Sequence, residues 1–214
     1  MRIGILGSGL MGGKLGTVFA RARHDVVFSY ARSPRKLERL AREAGRKARS
    51  GTPREAAEGA DAILLAVHWS RVEDVLKQAG DLSGKVIVSC SLPMNADDTE
   101  LVVAGRSSGA EALAKRLPRA AIVAAFQTVP SEVLFAVFAG RRRKRRPSLV
   151  YCGDERASKR LAATLIRDAG FDPLDAGPLR KARYIEPFAL LVATLAYEGE
   201  DGPEVAYRFE RRDG

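Results

Sequence analysis

Residues 5–14, Ile-Leu-Gly-Ser-Gly-Leu-Met-Gly-Gly-Lys, carry four glycines directly after the apolar run RIGIL (2–6). Glycine weakens regular structure, so a cluster of it marks a place where the backbone turns sharply or something approaches it closely. Gly7, Gly9 and Gly12 form the spacing G-x-G-x-x-G, and GKLGTVFARAR (13–23) then puts Leu15, Val18 and Phe19 at helical spacing. A strand, this glycine turn and a helix at the start of a βαβ unit are the context in which the spacing binds a dinucleotide. Gly7 permits the turn, Gly9 lets main chain approach a pyrophosphate, and Gly12 lets the helix pack close to the strand. The amides around Leu10 and Met11 lie at a helix amino end, where partial positive charge favours an anion.

The alternation continues along the chain. DVVFSYA (25–31) reads as a strand, and SPRKLERLAREAG (33–45) as a helix with Ser33 as cap, Pro34 in its first turn and Gly45 as stop. TPREAAEGA (52–60) opens another helix, DAILLAV (61–67) is a near-continuous apolar strand, SRVEDVLKQAG (70–80) is helical and KVIVSC (85–90) is a strand. GAEALAKRL (109–117) and AAIVAAF (120–126) add a helix and a strand. This order predicts an α/β fold, a Rossmann-type doubly wound and mostly parallel sheet with right-handed crossovers. The six basic residues Arg141–Arg146 repel one another and cannot be buried together, which predicts a surface loop. A strand (148–153), a helix (155–170), a short strand (171–177) and a long apolar helix (about 179–197) follow. The loop serves as the boundary between a dinucleotide-binding domain, 1–147, and a smaller carboxy-terminal α/β unit, 148–214. The mixed stretch 198–214 is expected to have a loose end.

The second strand discriminates between dinucleotides. An NAD site places a carboxylate near the end of this strand, where it accepts hydrogen bonds from ribose hydroxyls. FSYARSPRK (28–36) holds no carboxylate and offers Ser29, Arg32, Ser33, Arg35 and Lys36. A guanidinium grips a 2′-phosphate with two hydrogen bonds, whereas a carboxylate would repel it. The expected cofactor is therefore NADP, with Arg32 as principal contact. Arg35 reads as the solvated face of a helix.

Of the two histidines, His24 reads as a surface-loop residue. His68 follows the strand DAILLAV, at the carboxyl end where open parallel sheets bind ligands. With Trp69 it is placed to wall a nicotinamide ring, or else to pack or cap. The sequence holds no Ser-His-Asp set, no metal-ligand spacing and no clear Lys or Tyr proton donor. No catalytic residue is assigned beyond a possible role for His68, and no metal is expected. Hydride transfer between two ring cofactors needs mainly alignment, with reacting atoms roughly 3–3.5 Å apart.

The formal net charge of +10 points to anionic partners. No helix-turn-helix, zinc or aromatic RNA-binding pattern accompanies the basic run, so small polyanionic cofactors are expected rather than nucleic acid. Cys90 and Cys152 each end an apolar run, which suits reduced, buried thiols in a cytoplasmic protein. No signal peptide is expected, and PFALLVATLAY (187–197) is too short to span a bilayer.

FQTVPSEVL (126–134), YCGDERASKRLAATLI (151–166) and LDAGPLRKARYIEPFALLVATLAYE (174–198) resemble the NADP oxidoreductases that use the deazaflavin coenzyme F420. The resemblance covers essentially the whole chain and is most specific at DAGPLRKARYIE. It implies a Rossmann domain for NADP, a smaller carboxy-terminal part that helps to form a cleft for the deazaflavin, direct hydride transfer between the two rings, and a homodimer. By matching position, Gly7, Ser8, Gly9, Leu10 and Met11 would hold the pyrophosphate, and Arg32, with Ser33 and Lys36, the 2′-phosphate. Ala66, Val67 and His68 would border the nicotinamide, and Gln127, Thr128, Val129 and Pro130 the acceptor ring. His68 stands where the family often has proline, and Gln127 where its archaeal members resemble His-Thr-Ile-Pro. Both departures touch the acceptor site, so NADPH-dependent flavin or ferric reduction is an alternative. Two others are a hydroxyacid or imino-acid reductase, in which Lys181 is the residue to suspect, and a non-enzymatic NADP-sensing module that docks through Arg141–Arg146.

Overall fold

The computed structural model describes residues 1–200 and 202–210. Its elements are β1 (Arg2–Leu6), α1 (Leu10–Arg21), β2 (Asp25–Ser29), α2 (Pro34–Ala44), β3 (Ala48–Ser50), α3 (Pro53–Ala57), β4 (Ala62–Leu65), α4 (Val72–Ala79), β5 (Val86–Ser89), α5 (Gly109–Arg116), β6 (Ala121–Ala124), α6 (Leu134–Ala139), β7 (Ser148–Gly153), α7 (Arg156–Asp168), β8 (Asp172–Asp175) and α8 (Ala182–Tyr197). The strands form one sheet in the order β3-β2-β1-β4-β5-β6-β7-β8. Every pairing is parallel except β6 with β7. This is the Rossmann-type doubly wound α/β sheet that the alternation predicts.

Side chains alternate across the sheet and so build two cores. On one face Ile3 and Ile5 pack with Leu15 and Phe19 of α1, Leu134 of α6 and Leu165 of α7. On the other, Leu6, Ile63 and Leu65 pack with Val75 of α4, Leu113 of α5 and Ile185 of α8. Each fully buried side chain of this size contributes about 1.5–3 kcal/mol. Two local signals read from the sequence produce helix starts. Thr52 and Glu55 form a reciprocal capping box at α3. Ser33 occupies the cap position of α2 with Pro34 behind it, although its hydroxyl makes no cap hydrogen bond.

Several expectations are corrected. β3, with the sequence Ala-Arg-Ser, pairs with β2 without an apolar signature, because an edge strand needs only its backbone to join a sheet. α6 is too short to show helical periodicity. His24 is not on the surface: it is 6% exposed, edge-on to Phe19, and bonded through Nε2 to Asp168 at 3.0 Å. The tail is docked through residue 210. Tyr207 meets Phe188 and Phe209 edge-to-face, and its carbonyl accepts from the Ser148 N–H at 2.8 Å. The loose end expected beyond it falls at 211–214, outside the described residues. The expected surface loop at 141–146 is a series of exposed turns, with Arg141 stacked on Phe138. It precedes β7, where the sheet changes direction, and β7 and β8 extend the same sheet. No helix among the described residues is long and apolar enough to cross a membrane.

Candidate functional site: two adjoining cavities

The strand order reverses between β1 and β4, and the crevice outside their carboxyl ends is where open α/β sheets bind ligands. A cleft of about 810 Å³ lies there, bounded by the glycine turn, the end of β2 and the segment after β4.

The three motif glycines differ in what they meet. A Cβ on Gly7, which sits at φ +109°, would lie 2.4 Å from the Ala66 carbonyl oxygen. A Cβ on Gly12 would lie 1.8 Å from the Gly7 carbonyl oxygen. These two are required by the fold. A Cβ on Gly9 would meet no atom of the described residues within 4 Å. Its φ of −74° and extended ψ suit other residues, so nothing inside the protein requires glycine there. That bare cradle fits a ligand that must touch main chain. The turn is fastened to β2: the Gly7 N–H donates to Ser29 O at 3.2 Å, the Ser8 N–H to Tyr30 O at 3.0 Å, and the Ser8 hydroxyl to Ser29 O at 2.8 Å. Within α1 the first ladder bond is Gly13 N–H to Gly9 O, which leaves the amides of Leu10, Met11 and Gly12 pointing out of the helix end. No acidic residue lies in that first turn to compete for an anion.

Arg32 and Lys36 line the cleft beyond β2, and neither forms an ion pair among the described residues. Two expected contacts are corrected here. Ser29 is fully buried and its hydroxyl donates to Ile5 O at 2.7 Å, so it braces β1 rather than facing the cleft. Ser33 stands at the cap position of α2 and is not part of the cleft wall.

A second cavity of about 390 Å³ adjoins the first. Gly9, Leu10, Ala66, Val67 and His68 line both, so the end of β4 forms the common wall. Gln127, Val129 and Pro130 line the second chamber as expected, together with Cys90, Met94 and Tyr197. Thr128 does not: it is fully buried and its hydroxyl pairs with that of Tyr207 at 2.6 Å. Gln127 is 7% exposed, and neither its Oε1 nor its Nε2 has a hydrogen-bond partner among the described residues. A buried amide with both ends unmet costs free energy unless a ligand satisfies it.

His68 plays a capping part. Its Nδ1 accepts from the Ser70 N–H at 3.2 Å, so Nε2 carries the proton and faces Asn95 O at 3.2 Å and Asp98 at 3.1 Å. It thus ties the 92–102 segment to the common wall. Trp69 packs into the core beside α4 and lines neither cavity. Lys181 lies 5.4 Å from the Tyr184 ring centroid, away from both cavities. Cys90 lines the chamber rather than lying sealed in the core, Cys152 is buried, and burial pushes both thiols up. Sequence reasoning missed the contributions of Cys90, Met94 and Tyr197. Their place in the wall depends on loop course and on α8 folding back, which no local spacing encodes. No cluster of three potential metal ligands occurs among the described residues.

The fold and the crevice at the switch point define the class: Rossmann-type α/β proteins with a dinucleotide-type glycine turn. The model of the family "NADP oxidoreductase coenzyme F420-dependent" matches residues 2–93. The chain is 31% identical over 189 residues to Metalloreductase STEAP3 of Rattus norvegicus, covering 88% of this chain and 36% of that protein. It therefore spans about a third of the length of this curated relative. Among solved structures, a candidate F420-dependent NADP reductase of Arthrobacter sp. FB24 shares the fold with a TM-score of 0.85 at 22% identity, covering 99% of this chain and all of that one. A reductive aminase of Aspergillus terreus in complex with NADPH and ethyl levulinate matches with a TM-score of 0.65 at 21% identity, over 90% of this chain and 60% of that one.

Proposed function

We propose that the chain transfers a hydride between NADPH and a deazaflavin, coenzyme F420, or a related flavin-type acceptor. The observation that carries this reading is the pairing of the cavities. A cleft with a bare glycine cradle and two cations unpaired among the described residues adjoins, across a shared wall, a mostly apolar chamber that holds an amide without a partner among those residues. The amides of Leu10, Met11 and Gly12 would hold the pyrophosphate, and Arg32 with Lys36 the 2′-phosphate. Ala66, Val67 and His68 would border the nicotinamide, which supplies the hydride. Gln127 would meet the edge of the acceptor with one donor and one acceptor, and Val129 and Pro130 would flank it. The chamber's walls are mostly apolar, and alignment across the shared wall would replace acid–base chemistry.

The likeness to a metalloreductase favours a second reading, NADPH-dependent flavin or ferric-chelate reduction by the same cavities. Incubation with NADPH and, in turn, F420, FMN, FAD and ferric citrate separates the two by which acceptor is reduced. Failure with all four, together with retained NADPH binding, would favour the NADP-sensing module instead. The exposed stripe Tyr184, Leu191 and Leu195 on α8 is the face through which we propose a homodimer. We place the chain in the cytoplasm on its thiol usage.

A further inference from the structure

One end of the cofactor cleft is closed by a residue pair that the proposed function leaves unused. Tyr30 sits just past β2 at φ +55°, a conformation that crowds any β-carbon. Its backbone is held there by the Ser8 N–H, which donates to Tyr30 O at 3.0 Å. Its hydroxyl crosses the crevice and donates to Asp74 Oδ2 on α4 at 2.5 Å, and Gln78 Nε2 donates to the same oxygen at 3.1 Å. Burial, then the bond to Asp74, pushes the phenol up to about 12, so it remains a neutral donor. The bond from Tyr30 holds the Asp74 carboxyl low, with Arg71 beside it. Tyr30, with Ala31, lines both the 810 Å³ cleft and a separate cleft of about 440 Å³.

Strain of this kind persists where a site over-determines it. We infer that the Tyr30 ring is the wall on which the adenine base of the dinucleotide packs, and that Asp74 is the positioning residue that holds the ring in place. The inference rests on the NADP reading above. With the pyrophosphate at the start of α1 and the nicotinamide toward Ala66–His68, the adenosine half runs toward Arg32 and Lys36. Among the described residues, Tyr30 is the one aromatic ring lining that end of the cleft. A flat apolar face recognises a base through its π-surface. With Asp74 occupied by the Tyr30 hydroxyl and facing Arg71, its charge is offset at the end where the 2′-phosphate arrives. Tyr30 thereby fixes how deep the adenosine sits and so where the phosphate meets Arg32.

The test measures equilibrium binding of three probes, NADPH, adenosine 2′,5′-bisphosphate and reduced nicotinamide mononucleotide, to the full chain and to Tyr30→Gly, Tyr30→Phe and Asp74→Asn. Glycine accepts φ +55° without strain, so Tyr30→Gly is expected to fold. It should weaken NADPH and the bisphosphate alike by about tenfold or more, and leave the mononucleotide within twofold. Tyr30→Phe, which keeps the ring but frees it, and Asp74→Asn, which keeps an acceptor for the hydroxyl but removes the charge, should lose less. The inference is overturned if Tyr30→Gly binds the bisphosphate as tightly as the parent. Equal weakening of the mononucleotide, or a loss in Tyr30→Phe as large as in Tyr30→Gly, overturns it too, since a mere tie between α4 and β2 would then suffice. A parent protein that binds none of the three probes overturns the cofactor reading and this inference together.

Discussion

Gly9→Ala and Gly12→Ala change the same atom three residues apart and should have opposite consequences. At Gly12 the added carbon would lie 1.8 Å from the Gly7 carbonyl oxygen, which belongs to backbone and cannot swing aside. The turn must move by more than an ångström against three hydrogen bonds to β2. Overpacking of this kind costs about 1–3 kcal/mol, and the rigid neighbour puts this case at the upper end. For a chain of this length each kcal/mol moves Tm by roughly 2–4 °C, so Gly12→Ala should melt about 4–12 °C lower. At Gly9 the added carbon enters open space and the backbone angles are permitted. Lost chain entropy and a weaker cap offset each other, so stability should stay within about 1 kcal/mol. NADPH binding should nevertheless fall by about 1.5–3 kcal/mol, the worth of a hydrogen bond to a charged group that the new methyl holds off. Thermal melts and a NADPH titration of both variants decide the matter. Gly9→Ala at full affinity, or Gly12→Ala melting with the parent, would refute the division of labour.

Three other outcomes follow from the same geometry. Arg32→Ala should lose about 1.5–3 kcal/mol of NADPH affinity with NADH binding little changed, and an equal loss for both coenzymes would show that Arg32 does not read the 2′-phosphate. Gln127→Leu removes a buried amide with no internal partner, so it should stabilise the ligand-free protein by about 1 kcal/mol while lowering turnover with the acceptor; a destabilised variant with normal turnover would contradict it. Glu186, 1% exposed and accepting from the Gly109 and Ala110 amides, is pushed by burial from an ordinary 4.5 up to about 7. The folded protein therefore keeps a proton that the unfolded chain has lost, and this contribution is complete at low pH and disappears as pH rises through about 7, on the order of 3 kcal/mol in all. Burial lowers the His24 value, which acts in the opposite sense as pH falls, so the difference between parent and Glu186→Gln melts across pH 4.5–7.5 isolates the carboxylate; parallel curves would refute it.

What was legible in the sequence is what backbone sterics and charge dictate locally. Gly7 and Gly12 announce a close turn, Arg32 without a neighbouring carboxylate announces a cation at the end of β2, and alternating apolar runs announce the sheet. Side-chain direction was not legible where a distant segment decides it. Thr128 lies between two chamber residues but turns inward because Tyr207, far along the chain, offers its hydroxyl a partner. Ser29 sits beside the cleft yet bonds Ile5 across the strand pair. His24 is polar and near a turn, but α7 brings Asp168 to it and the pair is buried. Tyr30 and Asp74, 44 residues apart, meet only because α4 packs across the crevice from β2.

The central claim is that a dinucleotide in one cavity passes its hydride to a planar acceptor in the next. NADPH carrying deuterium at either face of nicotinamide C4, turned over with F420, tests it most directly. One of the two labels, and only one, is expected in the reduced deazaflavin by mass spectrometry. No reduction of F420, flavin or ferric chelate, or deuterium recovered only in water after turnover with F420, would contradict it.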